Sequence, residues 1–285
     1  MHVQTRIGTN EAIIAEASPA MEESQLIDIV LASDAHGAFI WGVFDRLLDE
    51  PDLAIGSITS SGFGAMEAAV LAYGLALGGR RGARTALTNF WRRVSHASMF
   101  KADTANPLKP ILEQSIDIEE IRKKNCPVKL NILVSNARND TVKMFPSDQL
   151  SIEAVLAAAT IPFRFPAVEI DGEIYWGDGD ISVLPRCQSI EAGLRLIITG
   201  KPAGFITPCA NRCLTANPVT PKPTLHTIFD SEYRAGAALF TRPWTDWGEL
   251  TEMRDRGHGR ADDWLVVNHP FVDERSAVDS KNRYV

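Results

Sequence analysis

The stretch SITSSGFGAMEAAV, residues 57 to 70, decides the fold. Its first half continues an apolar run that begins at Leu53, which is typical of a buried strand. Its second half places Met66 and Val70 four residues apart, as on one face of a helix. Small residues separate the two halves. The sequence therefore predicts a strand that turns sharply into a helix.

A similar pair precedes this stretch. LIDIVLA (26 to 32) is an apolar run of strand length, and AFIWGVFDRLLDE (38 to 50) places Phe39, Val43 and Leu47 on one helical face. Alternation of strand and helix with short connections predicts parallel strands joined by right-handed crossovers. The sequence thus predicts an α/β domain with a largely parallel sheet.

The rest of the chain continues the alternation. Predicted elements are strands at 53 to 59, 128 to 137 and 194 to 199, helices at 64 to 79, 80 to 98, 151 to 160 and 247 to about 266, and a hairpin around Asp171-Gly172. Gly78 and Gly79 are predicted to end the helix at 64 to 79, and the segment around 103 to 114 is predicted to be irregular. We expect a polar N-terminal arm at 1 to 25, a single domain at 26 to 275 and a tail at 276 to 285. Within the domain, 200 to 245 is rich in Pro, Thr and Asn and is predicted to be irregular.

Composition limits the function. The net charge of -7 argues against general nucleic-acid binding, and the five arginines between 80 and 93 are interpreted as a solvated helix face. The sequence lacks a signal-peptide pattern and an 18-residue apolar run, which predicts no transmembrane span. Its four cysteines lack zinc-site spacing, so we expect no metal and a reducing, cytoplasmic setting.

Strand, sharp turn and helix with small flanking residues also form the setting in which α/β hydrolases hold a nucleophilic serine. Several stretches, in order, resemble the patatin-like phospholipases: AHGAFIWGVFDRLLDEPDLAI (35 to 55), GAMEAAVLAYGLALGGRRGARTALTNFWRRVS (64 to 95), LSIEAVLAAATIPFRFPAVEIDGEIYW (150 to 176) and LTEMRDRGHGRADDWL (250 to 265). The chain is identified as a member of that family, and the match extends in patches from 26 to 265.

The resemblance implies a patatin-like three-layer α/β/α domain around a largely parallel sheet. It implies hydrolysis of lipid acyl esters by a Ser/Asp dyad that needs no cofactor. A lipid or fatty acyl ligand and peripheral contact with a membrane are the partners that it suggests.

The family's nucleophile motif is Gly-x-Ser-x-Gly. Ungapped counting from both flanking stretches places the motif glycines at Ser60 and Gly64 and the nucleophile at Gly62. Glycine has no side chain with which to attack an ester. Ser61 is a weak substitute, because neighbouring residues of an extended segment point to opposite sides. We therefore expect a nucleophile turn without its reactive atom.

The family's oxyanion loop is a glycine-rich run between the first strand and the first helix. Here it aligns with Ala32, Ser33 and Asp34, and only Gly37 remains of its glycines. A carboxylate at Asp34 would place negative charge near a developing oxyanion, although it could equally cap the following helix. The resemblance thus implies an impaired oxyanion hole.

The family's catalytic Asp lies in an Asp-Gly turn. In YWGDGDISVLP (175 to 185) that position is Asp178 if Pro185 sets the register, or Gly177 if Trp176 does, and Asp178 preserves the Asp-Gly pair. A metal site of Asp34, Glu67, Asp178 and Asp180 has no spacing signature to support it.

Three functions remain open on this sequence. The first is an acyl hydrolase that is inactive or severely impaired, with residual activity through Ser61 as a variant of it. The second is a pseudoenzyme that keeps the acyl cleft to bind lipid or a protein. The third is a relic without a selected function.

Overall fold

The computed structural model describes residues 25–33, 37–97, 106–162, 165–177, 194–199, 224–232 and 246–268. The described strands are β1 (Gln25–Ser33), β2 (Leu53–Gly62), β3 (Lys129–Asn136), β4 (Val142–Pro146), β5 (Val168–Ile170), β6 (Glu173–Trp176), β7 (Leu194–Thr199) and β8 (Thr224–Phe229). The described α-helices are α1 (Gly37–Leu47), α2 (Gly64–His96), α3 (Leu108–Glu113), α4 (Ile118–Arg122), α5 (Ile152–Ala159) and α6 (Trp247–Asn268).

The described strands form one mixed sheet. Its order is β5-β6-β3-β2-β1-β7-β8, and β4 also pairs with β3. The pairs from β3 through β2, β1 and β7 to β8 are parallel, whereas β4, β5 and β6 join antiparallel at the β3 side. The domain is therefore α/β with a largely parallel central sheet flanked by helices, which confirms the predicted fold class.

The chain leaves β1 for β2 on one side and later returns to place β7 on the other. In open α/β sheets, the carboxyl edge at such a reversal of direction is where ligands bind. The reversal lies at β1, with β2 on one side and β7 on the other, so the carboxyl ends of these three strands delimit the candidate site.

Helices α1 and α6 pack at unusually close range. A Cβ on Gly42 would collide with the carbonyl oxygen of Arg254, and one on Gly257 would collide with that of Phe39. The two glycines thus allow the helix backbones to touch. Around this contact lies a core that includes Phe39, Trp41 and Phe44, all nearly inaccessible to solvent.

Helix α2 is two helical arms joined by a reversal. Gly78 has φ −153° and Gly79 has φ 57°, a left-handed conformation that suits glycine. The second arm folds back, so that a Cβ on Gly74 would lie 2.5 Å from the Cα of Ala83. This agrees with the predicted pair of helices separated by Gly78-Gly79.

Three local predictions need correction. The region predicted to be irregular between 200 and 245 contains β8, which pairs in parallel with β7 along its full length. The segment around DTANPLKPILEQ (103 to 114) was expected to be irregular, yet it contains α3, which begins after Pro107. Strand β2 extends three residues beyond the predicted end at Thr59 and includes Gly62. Tertiary pairing decides the first and third cases, because neither segment has a clear period of its own.

The predicted hairpin is confirmed as β5 and β6. Asp171 and Gly172 form its turn with φ 54° and 80°. The helix at 151 to 160 is confirmed as α5, and the Ser151 side chain accepts a hydrogen bond from Ala154 N. The N-terminal arm and the tail lie outside the described residues, so their predictions stay predictions.

Candidate functional site

Gly62 ends β2 in a left-handed conformation, with φ 65°. Phe63 follows as the residue before the first turn of α2, and the helix begins at Gly64. The predicted strand, turn and helix are therefore present with the bend at Gly62. L-residues with a side chain reach this region of φ only at a cost of about 1–2 kcal/mol, which glycine does not incur.

The carboxyl ends of β1 and β2 lie side by side. Ala32 is paired with Ser61, and Ser33 with Gly62. The first two residues that the sequence assigned to the oxyanion loop therefore belong to β1 and flank the bend directly.

Ser60 and Ser61 lie inside the sheet. Ser60 is fully buried and its Oγ donates to the carbonyl oxygen of Ser61 at 3.4 Å. Ser61 exposes 3% of its surface. Both serines precede the bend at Gly62 in the chain.

Gly37, the retained glycine of the predicted loop, is the first residue of α1 and is buried. A Cβ there would lie 2.8 Å from Glu67 Oε2 and 2.9 Å from both Phe63 and Trp91. Any larger residue would collide with the start of α2. The position therefore requires glycine for packing, independently of any role of its backbone N–H in an oxyanion hole.

Glu67 is fully buried in the first turn of α2. Burial raises the pKa of its carboxyl well above the ordinary value, while the Trp91 indole and the backbone of Trp41 oppose that shift more weakly. Among the described residues, neither carboxyl oxygen has a hydrogen bond of standard geometry. Burial at this site therefore favours the protonated, neutral form of the Glu67 carboxyl.

Aromatic side chains pack against Phe63, the residue that follows the bend. The Phe63 ring lies 5.6 Å from Trp91 and 6.0 Å from Phe90, between ring centroids. Trp91 in turn stacks on Trp41 at 6.4 Å. These contacts join the bend to α1 and to the second arm of α2. Sequence analysis did not identify the role of Phe63, because a single aromatic residue in a turn has no periodic signal.

Gly177 follows β6. β4 pairs with one edge of β3 as far as Ser135, so β6, which also pairs with Ser135, lies on the other edge, the one with which β2 pairs. The Gly177 N–H donates to the carbonyl oxygen of Thr160 at 2.9 Å, and a Cβ on Gly177 would collide with the carbonyl oxygen of Ala158. There is no room for a carboxylate side chain at this residue.

Other predicted site residues lie outside the described part of the chain. They are Asp34, Asp178 and Asp180, and the side chains of Ala32 and Ser33 are likewise not described. Glu67 is the described member of the acidic set considered as metal ligands. No group of three or more potential metal-ligating side chains occurs among the described residues. Within the same ranges, every helix is too short or too polar to cross a bilayer.

Comparisons with known proteins give distant structural similarity. No protein-family model and no curated protein matches the sequence. Among solved structures, VipD from Legionella pneumophila is 12% identical with a TM-score of 0.49, covering 86% of this chain and 67% of VipD. ExoU, a type III effector, is 10% identical with a TM-score of 0.41 over 84% of this chain. ExoU in complex with SpcU, from Pseudomonas aeruginosa, is 11% identical with a TM-score of 0.42. The chain spans about half the length of ExoU.

Proposed function

We propose that this chain is a patatin-like acyl-hydrolase homologue whose nucleophile position is Gly62, and that it hydrolyses acyl esters very slowly or not at all. The observation that carries the proposal is the left-handed φ of 65° at Gly62, between a buried strand and a helix. A nucleophile turn needs a strained backbone at one residue. Gly62 has that backbone and no nucleophilic atom.

The position of the second dyad residue is compatible with this proposal. β4 pairs with one edge of β3 as far as Ser135, and β2 and β6 both pair with the other edge. Because β2 is parallel and β6 antiparallel to β3, the carboxyl ends of β2 and β6, which carry Gly62 and Gly177, face each other along that edge. The tight packing at Gly177 supports Asp178 as the residue that takes the dyad-acid position.

Ser61 has less support as a nucleophile. It lies one residue before the bend and is paired with Ala32 within the sheet. A nucleophile there would require the bend to move by one residue, away from the glycine that suits it. Hydrolysis through Ser61 is the alternative that the experiment excludes or establishes.

The test compares the unmodified chain with Gly62→Ser, Gly62→Ala and Ser61→Ala. Each is treated with a fluorophosphonate probe and with a p-nitrophenyl ester, after circular dichroism has shown that it is folded. We expect labelling of Gly62→Ser alone, at a low rate because the oxyanion loop is altered, and its loss in Gly62→Ser/Asp178→Asn. Gly62→Ala carries the same Cβ without a hydroxyl, so it must stay unlabelled.

Two results would contradict the proposal. Labelling of the unmodified chain that Ser61→Ala abolishes would establish Ser61 as the nucleophile. A folded Gly62→Ser variant that reacts no faster than Gly62→Ala would remove the reason to place the nucleophile position at Gly62.

A further inference from the structure

A groove runs along the second arm of α2 and has a volume of about 480 Å³, within the range of small-molecule sites. We call it the α2 groove. The residues on which the argument rests are Tyr73, Leu77, Arg81, Thr85, Asn89 and Arg93. It is separate from the bend at Gly62, which is not among its lining residues.

Three of the five arginines between 80 and 93 have structural partners. Arg80 donates to carbonyl oxygens of the segment that joins α1 to β2, including that of Pro51 at 3.1 Å. Arg84 is paired with Asp49, and the Arg92 guanidinium lies 5.7 Å from the centre of the Trp247 ring. These three side chains hold elements of the fold together.

The two others line the α2 groove. Arg81 is exposed and Arg93 is partly buried, and neither forms an ion pair with a described residue. A cation without a fixed partner keeps its capacity to bind an anion, and the guanidinium is suited to phosphate and carboxylate. On a chain with a net charge of -7, the groove is a local region of positive charge.

Polar side chains line the groove along its whole length, and the apolar residues flank one half of it. Arg81, Thr85, Asn89 and Arg93 follow one another at intervals of four residues, so that they form one row about 18 Å long. Because Gly74 meets Gly82 and Ala83, the neighbouring first-arm residues flank the half of the row nearer the reversal. The Arg93 half lies beyond them.

The flanking residues are apolar in part. Tyr73 is partly buried, whereas Leu77 exposes 59% of its surface at the groove. A ligand with an apolar chain would cover Leu77 and remove that surface from water. The groove therefore combines an anion-binding end with an apolar wall.

We propose that the α2 groove binds a single-chain amphiphile with an anionic head group. The phosphate or carboxylate head binds at Arg93 and Asn89, and the acyl chain lies against Tyr73 and Leu77. Arg81 adds attraction at longer range. This site is additional to the proposed acyl-ester cleft, and it does not depend on the nucleophile position.

The test measures binding to the full chain by isothermal titration calorimetry, with each amphiphile below its micelle concentration. The probes are oleoyl lysophosphatidate, oleate, inorganic phosphate and the uncharged 1-oleoylglycerol. We expect lysophosphatidate or oleate to bind, and their relative affinity identifies the head group. Inorganic phosphate lacks the acyl chain and 1-oleoylglycerol lacks the anionic head group. Each should therefore bind at least tenfold more weakly.

Variants locate the site. Arg93→Gln should weaken binding of the tighter amphiphile about tenfold or more, because a hydrogen bond to a charged group is lost. Arg81→Gln should weaken it about two- to threefold, and Leu77→Ser by a similar factor. Thr85→Trp should block the groove without changing its charge. Arg122→Gln, which removes one positive charge on α4, is the matched control and should bind as the unmodified chain does.

Several outcomes would overturn the proposal. They are absence of binding by both anionic amphiphiles, equal affinity for inorganic phosphate or 1-oleoylglycerol, and equal losses in Arg93→Gln and Arg122→Gln. Normal binding by a folded Thr85→Trp variant would also do so. A larger loss in Arg81→Gln than in Arg93→Gln would contradict the stated orientation of the ligand.

Discussion

Gly37 and Glu67 lie in direct contact, with 2.8 Å between Glu67 Oε2 and the position that a Cβ on Gly37 would take. One is the first residue of α1 and the other lies in the first turn of α2. Both helices begin at the carboxyl edge of the sheet, so this contact sets how close their N-terminal ends approach. The buried Glu67 carboxyl is thereby part of the packing that supports the bend at Gly62.

The Glu67 carboxyl should make stability depend on pH. Its pKa is raised in the folded chain, so the folded state holds a proton that the unfolded state releases above its ordinary pKa of about 4.5. Its contribution to stability is thus fully present below pH 4.5 and is lost as pH rises toward the folded-state pKa. We expect Glu67→Gln to be more stable than the unmodified chain at pH 7 and 8.

Urea denaturation between pH 4 and 8 tests this expectation. The difference in unfolding free energy between Glu67→Gln and the unmodified chain should grow with pH above 4.5. Glu153→Gln, on the first turn of α5 and partly exposed, is the control and should show little pH-dependent difference. A pH-independent difference for Glu67→Gln would mean that the carboxyl is ionised in the folded state.

Substitution of Gly62 should lower the unfolding free energy, independently of any effect on catalysis. Gly62→Ala places a Cβ on a residue with φ 65°, and we expect a loss of about 1–2 kcal/mol in unfolding free energy. Urea denaturation at pH 7 measures it. An unchanged or increased stability would show that the bend relaxes to a negative φ without loss.

The contact between α1 and α6 offers a matched pair of glycines on one helix. A Cβ on Gly257 would collide with the carbonyl oxygen of Phe39, whereas one on Gly259 has no atom within 4 Å. Gly257→Ala should destabilise the fold by about 1–3 kcal/mol through overpacking. Gly259→Ala should stabilise it by about 0.5–1 kcal/mol, because alanine favours a helix. Thermal melts in which both variants shift in the same direction would contradict the close approach of the helices.

A buried ion pair joins β8 to α6. Asp230 exposes 1% of its surface, and its Oδ2 lies 3.0 Å from Arg256 Nη2. Arg256→Gln leaves that carboxylate buried with its cation removed, and we expect a loss of about 3 kcal/mol. Arg122→Gln breaks the exposed pair with Glu119 and should change stability by less than about 1 kcal/mol. Equal effects in chemical denaturation would argue against burial of Asp230.

Much of the fold was predictable because its main elements have strong local patterns. The apolar runs of β1 and β2, the helical spacing of α1 and the glycine pair at 78 and 79 each indicate the observed element. Strand β8 was not predictable, because TLHTIF has no regular alternation and gains its strand conformation from pairing with β7.

In the candidate site, too, some features were predictable from sequence and others were not. Ungapped counting puts the family's nucleophile position at Gly62, and that assignment stays a prediction; what the structure adds is the left-handed φ at this residue. The buried contact of Glu67 with Gly37 could not be derived from sequence, since it depends on how two helices meet in space. The sequence also does not distinguish Arg81 and Arg93 from the three neighbouring arginines. They differ in three dimensions, because those three have partners in the fold.

The reversal at Gly78-Gly79 also bears on the order in which the chain folds. It brings Gly74 against Ala83, a contact between residues nine apart, whereas β1 pairs Ile27 with Leu194 across most of the chain. Contacts that close short loops form sooner than those that close long ones. The two arms of α2 should therefore associate early, and the pairing of β1 with β7 should be a late step that completes the sheet.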